Sequence, residues 1–136
     1  MNKIKGITFI ELLIAVAIMG LLSVMIYPSY IDFVLRSNRA EAQSELLRIA
    51  NLQEQYFIDQ RTYTSDLTDL GLSDNPFINT NTGGNYSFSA TIGDDGTSFT
   101  LTATTTGTFQ NKDSTCTTFT VNEVGQKGAE SDDCWG

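Results

Sequence analysis

The sequence predicts an α+β protein in which a long N-terminal helix, transmembrane over its first half, packs its second half on a small antiparallel β-sheet. Three observations predict it. Residues 7–27 form an almost unbroken apolar run. Ala42, Leu46, Ile49, Ala50, Leu52, Tyr56 and Phe57 then recur at spacings of three and four, which lines one face of a helix. From Tyr86 onward the period changes to two, the signature of strands with one buried face. An amphipathic helix cannot bury its apolar stripe alone, and one helix covered by one sheet makes a two-layer domain.

The apolar run carries most of the functional information. From Ile7 to Tyr27 there are 21 residues, of which only Thr8, Glu11 and Ser23 are polar. As a helix, a run of this length spans roughly 30 Å, the thickness of a bilayer core. Lys3 and Lys5 precede it, and positive charge before a first span places the N-terminus on the cytoplasmic side. The remainder of the chain then faces the other compartment. Glu11 is the exception in the run. A carboxylate in a span costs at most about 2.5–3.5 kcal/mol, less near the interface, and so usually has a partner and a task. No basic residue lies between Lys5 and Arg36, so the span offers it no local partner. A second copy of the chain can supply one. If the peptide bond after Gly6 is cut, Ile7 carries a free cationic amine, which a neighbour shifted along the helix axis brings to Glu11. The expectation is a processed, self-stacking subunit.

Gly20 and Pro28 punctuate this helix. Pro28 lacks an N–H and would clash with the Val24 carbonyl in a straight helix, so a kink is expected there. Tyr30, Phe33 and Val34 continue the apolar stripe, and Arg36-Ser37-Asn38-Arg39 marks the emergence into water. Asp32 and Arg36 are four apart in the favourable order, and Glu41 and Glu45 are a like-charge pair, mildly unfavourable unless Arg48 or another subunit compensates. The helix should end near Asp59 to Arg61. Residues 62–85 then read as a connecting loop, with a short helix over Ser65 to Leu70 closed by Gly71 and turn chemistry at Asn75-Pro76 and Thr82 to Asn85. Tyr86 to Ile92 and Phe99 to Ala103 alternate as strands around the hairpin signal Gly93-Asp94-Asp95-Gly96. Phe119 and Val121 mark a third strand, and Gln126 to Ala129 supplies a short fourth.

Composition narrows the function by exclusion. The 136 residues suffice for one globular domain beside the anchor, and net charge is −8. Without residues 1–6 the chain has 6 basic and 16 acidic side chains, which argues against nucleic-acid binding through a basic surface. It has no histidine, the commonest general base and neutral metal ligand. There is no Gly-rich phosphate loop and no Cys/His metal spacing, and neither Asp94-Asp95 nor Asp132-Asp133 has the ligand spacing of a calcium loop. No catalytic residue, metal or cofactor is expected. Cys116 and Cys134, an even pair in an exported domain, read as a disulfide. A cleaved secretory signal fits poorly, because the run is too long, carries Glu11 and ends in Tyr-Pro-Ser-Tyr without a small-residue cleavage site. A plain single-pass anchor gives no reason for Gly6 or Glu11.

Gly6 followed by Ile7, Thr8, Phe9, Ile10, Glu11 and Leu12, behind a short basic leader, resembles the prepilin motif of the type IV pilins. The family most often has Phe at the first mature position, where this chain has Ile7. Further words strengthen the likeness: Ser37 to Glu41, Gln53 to Tyr56, Arg61 to Thr64, Phe99 to Thr104 and the closing Asp133-Cys134-Trp135 look like minor pilins of the PilE kind. The resemblance implies the type IV pilin fold, leader cleavage between Gly6 and Ile7, N-methylation of Ile7, Glu11 as the assembly carboxylate, and a helix break between Gly20 and Pro28 that extends in the filament. It implies a leader at 1–6, a transmembrane and assembly helix at 7–30, and an exported head at 31–136. The head comprises an amphipathic helix at 31–61, a loop at 62–85 and a sheet with a disulfide-closed tail at 86–136. The implied function is that of a minor subunit that helps initiate or cap pili for twitching motility and surface adhesion. Its partners would be major and minor pilin subunits, the prepilin peptidase, the inner-membrane assembly platform and the lipid bilayer. The subunit would sit in the inner membrane before assembly and in the cell-surface pilus afterwards. The alternatives are a major pilin, a type II secretion pseudopilin, or a membrane-anchored exported binding domain or enzyme.

Overall fold

The computed structural model describes residues 6–135; the leader lysines Lys3 and Lys5 lie outside the described residues. The chain divides into two compact units, Met1–Val34 and Leu35–Gly136. The first helix, α1 (Phe9–Gln60), contributes to both. It is continuous through Gly20 and Pro28, so neither residue ends it in the isolated subunit. It terminates at Gln60, where Arg61 takes a left-handed φ of 59° and its N–H donates to the Phe57 carbonyl. A residue in that conformation cannot extend a right-handed helix.

In the second unit a five-stranded antiparallel meander follows. Strands β1 (Phe77–Ile78), β2 (Tyr86–Ile92), β3 (Phe99–Thr105), β4 (Thr118–Asn122) and β5 (Lys127–Ala129) lie side by side in chain order. The register aligns Phe88 with Ala103 and Ala103 with Phe119, so every second residue shares one face. That face buries Tyr86, Phe88, Phe99, Leu101, Ala103, Phe119 and Val121 against Ala42, Leu46 and Ile49 of α1. The other face carries Ser89, Thr91, Thr100, Thr102, Thr104 and Thr120, which keep their hydroxyls toward water. Aromatic rings fill the space between layers: Tyr63 stacks on Phe57 at 4.6 Å and meets Phe99 edge-on at 4.7 Å.

The connecting region is more ordered than its turn composition predicts. Leu67–Leu70 forms a 3₁₀ turn, with Asp66 as N-cap and Gly71 at φ 83° closing it, within the span predicted for a short helix. Residues 77–78, predicted as loop, are the edge strand β1, and Thr80–Thr82 forms a second 3₁₀ turn. Two residues are too few to show alternation, so no sequence period exposes β1. A four-residue helix, α2 (Gly107–Gln110), and a terminal 3₁₀ turn (Asp132–Trp135) were also not anticipated. The predicted fourth strand is present as β5, the fifth in the observed order.

Candidate functional site

The N-terminal unit presents a continuous apolar surface. Residues 6–30 are all exposed, and an 18-residue window of α1 reaches a mean hydropathy of 2.6 with none of it buried. Exposed apolar side chains of this number and density are unstable in water and call for lipid or another protein surface. The three polar side chains in the run satisfy themselves locally. Ser23 Oγ donates to the Met19 carbonyl at 2.8 Å, the back-bond that lets a hydroxyl sit in apolar surroundings. Thr8 and Glu11 form a capping box. The Glu11 N–H donates to Thr8 Oγ1 at 3.3 Å, while Glu11 Oε2 accepts from the Thr8 N–H and Oγ1–H, each at 3.4 Å. This arrangement pairs two of the otherwise orphaned donors at the start of α1. The sequence reading left Glu11 without any partner in its own span. The structure corrects it: the carboxylate holds the helix start, although no cation reaches it among the described residues. Gly6 and Ile7 precede the helix in exposed, non-helical chain, with Ile7 76% exposed.

The head is closed by directional bonds as well as by apolar packing. Cys116 and Cys134 are joined, with Cα atoms 5.6 Å apart and a sequence separation of 18. The tail they secure is held twice more. Gln43 Nε2 donates to the Cys134 carbonyl at 2.6 Å, and Trp135 Nε1 donates to the Gly128 carbonyl of β5 at 2.8 Å. On α1, Arg39 forms a two-pronged ion pair with Asp113, whose side chain is only 4% exposed. The hydrogen bonds to Asp113 raise the Arg39 pKa above its ordinary value, against the opposing effect of burial. Beside this pair Asn38 Nδ2 donates to Gln110 Oε1 at 2.8 Å, and Gln110 Nε2 donates to the Tyr86 hydroxyl at 3.0 Å. Burial pushes the Tyr86 pKa up to about 12.

Residues 28–120 match the family described as "Type IV minor pilin ComP, DNA uptake sequence receptor". The chain belongs to this family. Residues 1–27 match a second family, the prokaryotic N-terminal methylation motif. Among curated relatives, the type IV wide pilus major component PilA4 of Thermus thermophilus is 37% identical over 79 residues, covering 56% of this chain and 60% of that one. The fimbrial protein EcpC of Eikenella corrodens is 31% identical over 100 residues, covering 74% of this chain and 61% of that one. The type IV major pilin protein PilA of Myxococcus xanthus is 33% identical over 69 residues, covering 51% of this chain and 31% of the relative. The matched stretch thus covers from 31% to 61% of these relatives' own lengths. The solved structure of a type IV pilin from Shewanella oneidensis superposes with a TM-score of 0.54 at 25% identity, covering 75% of this chain and 98% of that one. The fold is that of a type IV pilin, and the family is one of structural subunits.

In this pilin, the predicted processing and assembly residues Gly6, Ile7 and Glu11 lie together at the free end of α1. Gly20 and Pro28 lie farther along the same unbroken helix. The predicted bridge is formed. Of the two compensations open to Glu41 and Glu45, Arg48 supplies one by pairing with Glu45, its Nε 3.1 Å from both carboxylate oxygens, whereas Arg36 makes no ion pair with Asp32 among the described residues. Three polar residues were missed. Gln53, fully buried on the stripe of α1, donates to the Thr64 carbonyl at 2.6 Å and accepts from the Thr64 N–H at 3.1 Å, imitating a strand partner. Gln110, the last residue of α2, and Asp113, just beyond it, are the other two, and the mostly polar residues around them give no burial signal. Gln53 had one: it occupies the stripe position four residues after Ile49, where an apolar side chain is expected.

Proposed function

We propose that this pilin is a low-abundance subunit that helps initiate or cap pilus assembly, in support of twitching motility and surface attachment, and that it has no catalytic activity. Residues 1–6 are its leader, 7–30 its membrane and assembly segment, and 31–136 its exported head. A prepilin peptidase cuts between Gly6 and Ile7, Ile7 is N-methylated, and the inner-membrane assembly platform moves the subunit from bilayer to filament among major and minor pilins. The N-terminus faces the cytoplasm before assembly. The observation that carries this reading is the exposed apolar surface of residues 6–30 with one carboxylate at its start. In lipid that carboxylate is costly, and in a filament the amine of a neighbour's Ile7 compensates it. A mismatched register would leave two unpaired charges, so the pair selects the axial step between subunits. Gly20 to Pro28 is the segment expected to unwind as subunits pack, since Pro28 leaves the Val24 carbonyl without its helical donor.

The matched family's description includes a DNA uptake sequence receptor. The charge of this chain weighs against that second reading. Of the six cationic side chains among the described residues, Arg39 and Arg48 are already ion-paired, against sixteen acidic ones. Duplex DNA is bound chiefly by neutralising its phosphates, and this surface has few cations free to do so.

Glu11 variants test the assembly reading. Glu11→Gln keeps the acceptor of the capping box and removes the charge; Glu11→Val removes both. Both variants should be cleaved and membrane-inserted, yet be depleted from sheared pili relative to the wild type. Quantitative mass spectrometry of the same pili should find the wild-type chain at a small fraction of the major pilin. Incorporation of Glu11→Gln at wild-type level alongside exclusion of Glu11→Val would assign Glu11 to helix capping alone. Equal incorporation of all three would remove it from assembly.

A further inference from the structure

The second unit carries a hollow of about 420 Å³ between α1 and the C-terminal tail. Arg36, Arg39, Ala40 and Gln43 recur at three- and four-residue spacing and make its helical wall. Asp133 and Cys134 make the opposite wall. The tail is fixed in place by the Cys116–Cys134 bridge and by Gln43 Nε2, which donates to the Cys134 carbonyl at 2.6 Å. Both walls are therefore anchored to the fold. Their charges are not matched to each other. Arg39 is committed to Asp113. Arg36 and Asp133 are both exposed and line the same hollow, yet neither has an ion-pair partner among the described residues. A free cation and a free anion across one hollow fit a ligand that carries both signs.

The position of the hollow in the chain indicates where such a ligand comes from. Arg36 is the first cation after the apolar run and lies nine residues beyond Tyr27. Tyr27 and Tyr30 are the ring type that settles at the level of lipid headgroups, and an arginine on its flexible stem reaches back towards that layer. We infer that the hollow receives a zwitterionic phospholipid headgroup, its phosphate on Arg36 and its primary ammonium on Asp133. This inference rests on the membrane residence proposed above. A guanidinium donates two parallel N–H bonds to phosphate oxygens, and a carboxylate accepts from an ammonium. A zwitterion brings no net charge, so the acidic balance of the chain does not oppose it. An anionic headgroup would meet Asp133 with no second unpaired cation in the hollow to offset it. A quaternary ammonium has no N–H to donate to Asp133, which selects a primary amine. Such a contact holds the head on the bilayer surface while the subunit resides there.

Native mass spectrometry of the detergent-solubilised full-length chain tests this, with phosphatidylethanolamine, phosphatidylcholine or phosphatidylglycerol added singly at equal concentration. Phosphatidylethanolamine should be retained about tenfold more tightly than either of the others, the scale of one charge-assisted hydrogen bond. Arg36→Ala and Asp133→Asn should each abolish that preference without changing the melting temperature of the solubilised subunit, and Arg36→Lys should keep most of it. Equal retention of the three lipids, or an unchanged preference in Arg36→Ala and Asp133→Asn, would overturn the site. Tighter retention of phosphatidylglycerol would overturn the zwitterion in favour of an anion. Displacement of phosphatidylethanolamine by an equal concentration of soluble glycerophosphoethanolamine would overturn the lipid in favour of a soluble zwitterion. Release of the wild-type chain from membranes by alkaline carbonate would remove the membrane reading and this inference with it.

Discussion

The two units of this pilin treat the same kind of residue in opposite ways. Leu21, in the N-terminal unit, is 74% exposed, and Leu46, on the later part of the same helix, is fully buried. Nothing intrinsic to the residue differs; the partner does. Around Leu46 the chain supplies its own, through Phe88, Leu101, Phe119 and their neighbours. Around Leu21 it supplies none, and its few polar side chains turn inward on their own helix through Thr8, Glu11 and Ser23. One unit is therefore finished by its own folding, whereas the other is finished by lipid or by other subunits. That division is what the proposed role, a subunit held in a membrane and then taken into a filament, requires.

The sharpest way to break this comparison is to make one substitution in both places. Leu46→Ala should destabilise the head by about 2–5 kcal/mol, the range for a large-to-small change at a fully buried site. Leu21→Ala should leave the melting temperature of the detergent-solubilised chain unchanged, because no protein contact is lost there. Thermal unfolding followed by near-ultraviolet circular dichroism reads both. A large shift from Leu21→Ala would show that the N-terminal unit is stabilised by the chain itself.

The bridge gives the next effect. Its 18-residue separation corresponds to roughly 3 kcal/mol in the loop-entropy description. Cys134→Ser should lower head stability by about that amount. It should also loosen the tail that Gln43 and Trp135 hold, seen as faster amide exchange over residues 127–135. Wild-type stability in the variant would mean that those two hydrogen bonds suffice without the bridge.

Two smaller effects probe the polar interior. Gln53→Leu leaves the Thr64 N–H and carbonyl without partners and should cost about 1–3 kcal/mol, the penalty for a buried polar group left unpaired. An unchanged melting temperature would show that water replaces the amide. Tyr63 gives an alkaline signature. Burial, with help from the hydrogen bond to Glu54, raises its pKa from 10.0 to about 12. The raised value means that the folded state holds the phenol neutral where the unfolded chain ionises it. Its contribution is therefore complete below pH 10 and is lost as pH rises towards 12. Tyr63→Phe should flatten the fall in stability across that window in a urea titration repeated at several pH values. An identical fall in the variant would assign the alkaline loss to other groups.

What the sequence disclosed follows the same division. Periodicity is a record of which faces are apolar, so it exposed the stripe of α1 and the alternation of β2, β3 and β4 directly. The prepilin words around Gly6 and Glu11 were equally legible, since they are local in the chain. The polar fastenings were not. Asn38 meets Gln110 across 72 residues and Arg39 meets Asp113 across 74, and no spacing rule links positions so far apart. Gln53 was hidden because it stands on an apolar stripe and is buried by pairing with Thr64 rather than by its own hydrophobicity. The capping box was readable from Thr8 and Glu11, three residues apart before an apolar run. The charge of Glu11 points to a distant cation, whereas the groups its carboxylate and N–H meet lie three residues away at Thr8.

The central claim is that the N-terminal unit is completed by processing and by neighbours. Intact-mass and N-terminal peptide analysis of the chain recovered from sheared pili tests it most directly. The account predicts a chain lacking residues 1–6, beginning at an N-methylated Ile7. The Gly6→Val variant should keep its leader and stay wholly in the membrane fraction, since only glycine lets the backbone approach a peptidase without a side chain. A wild-type chain that retains residues 1–6 and occurs only in the membrane would contradict it.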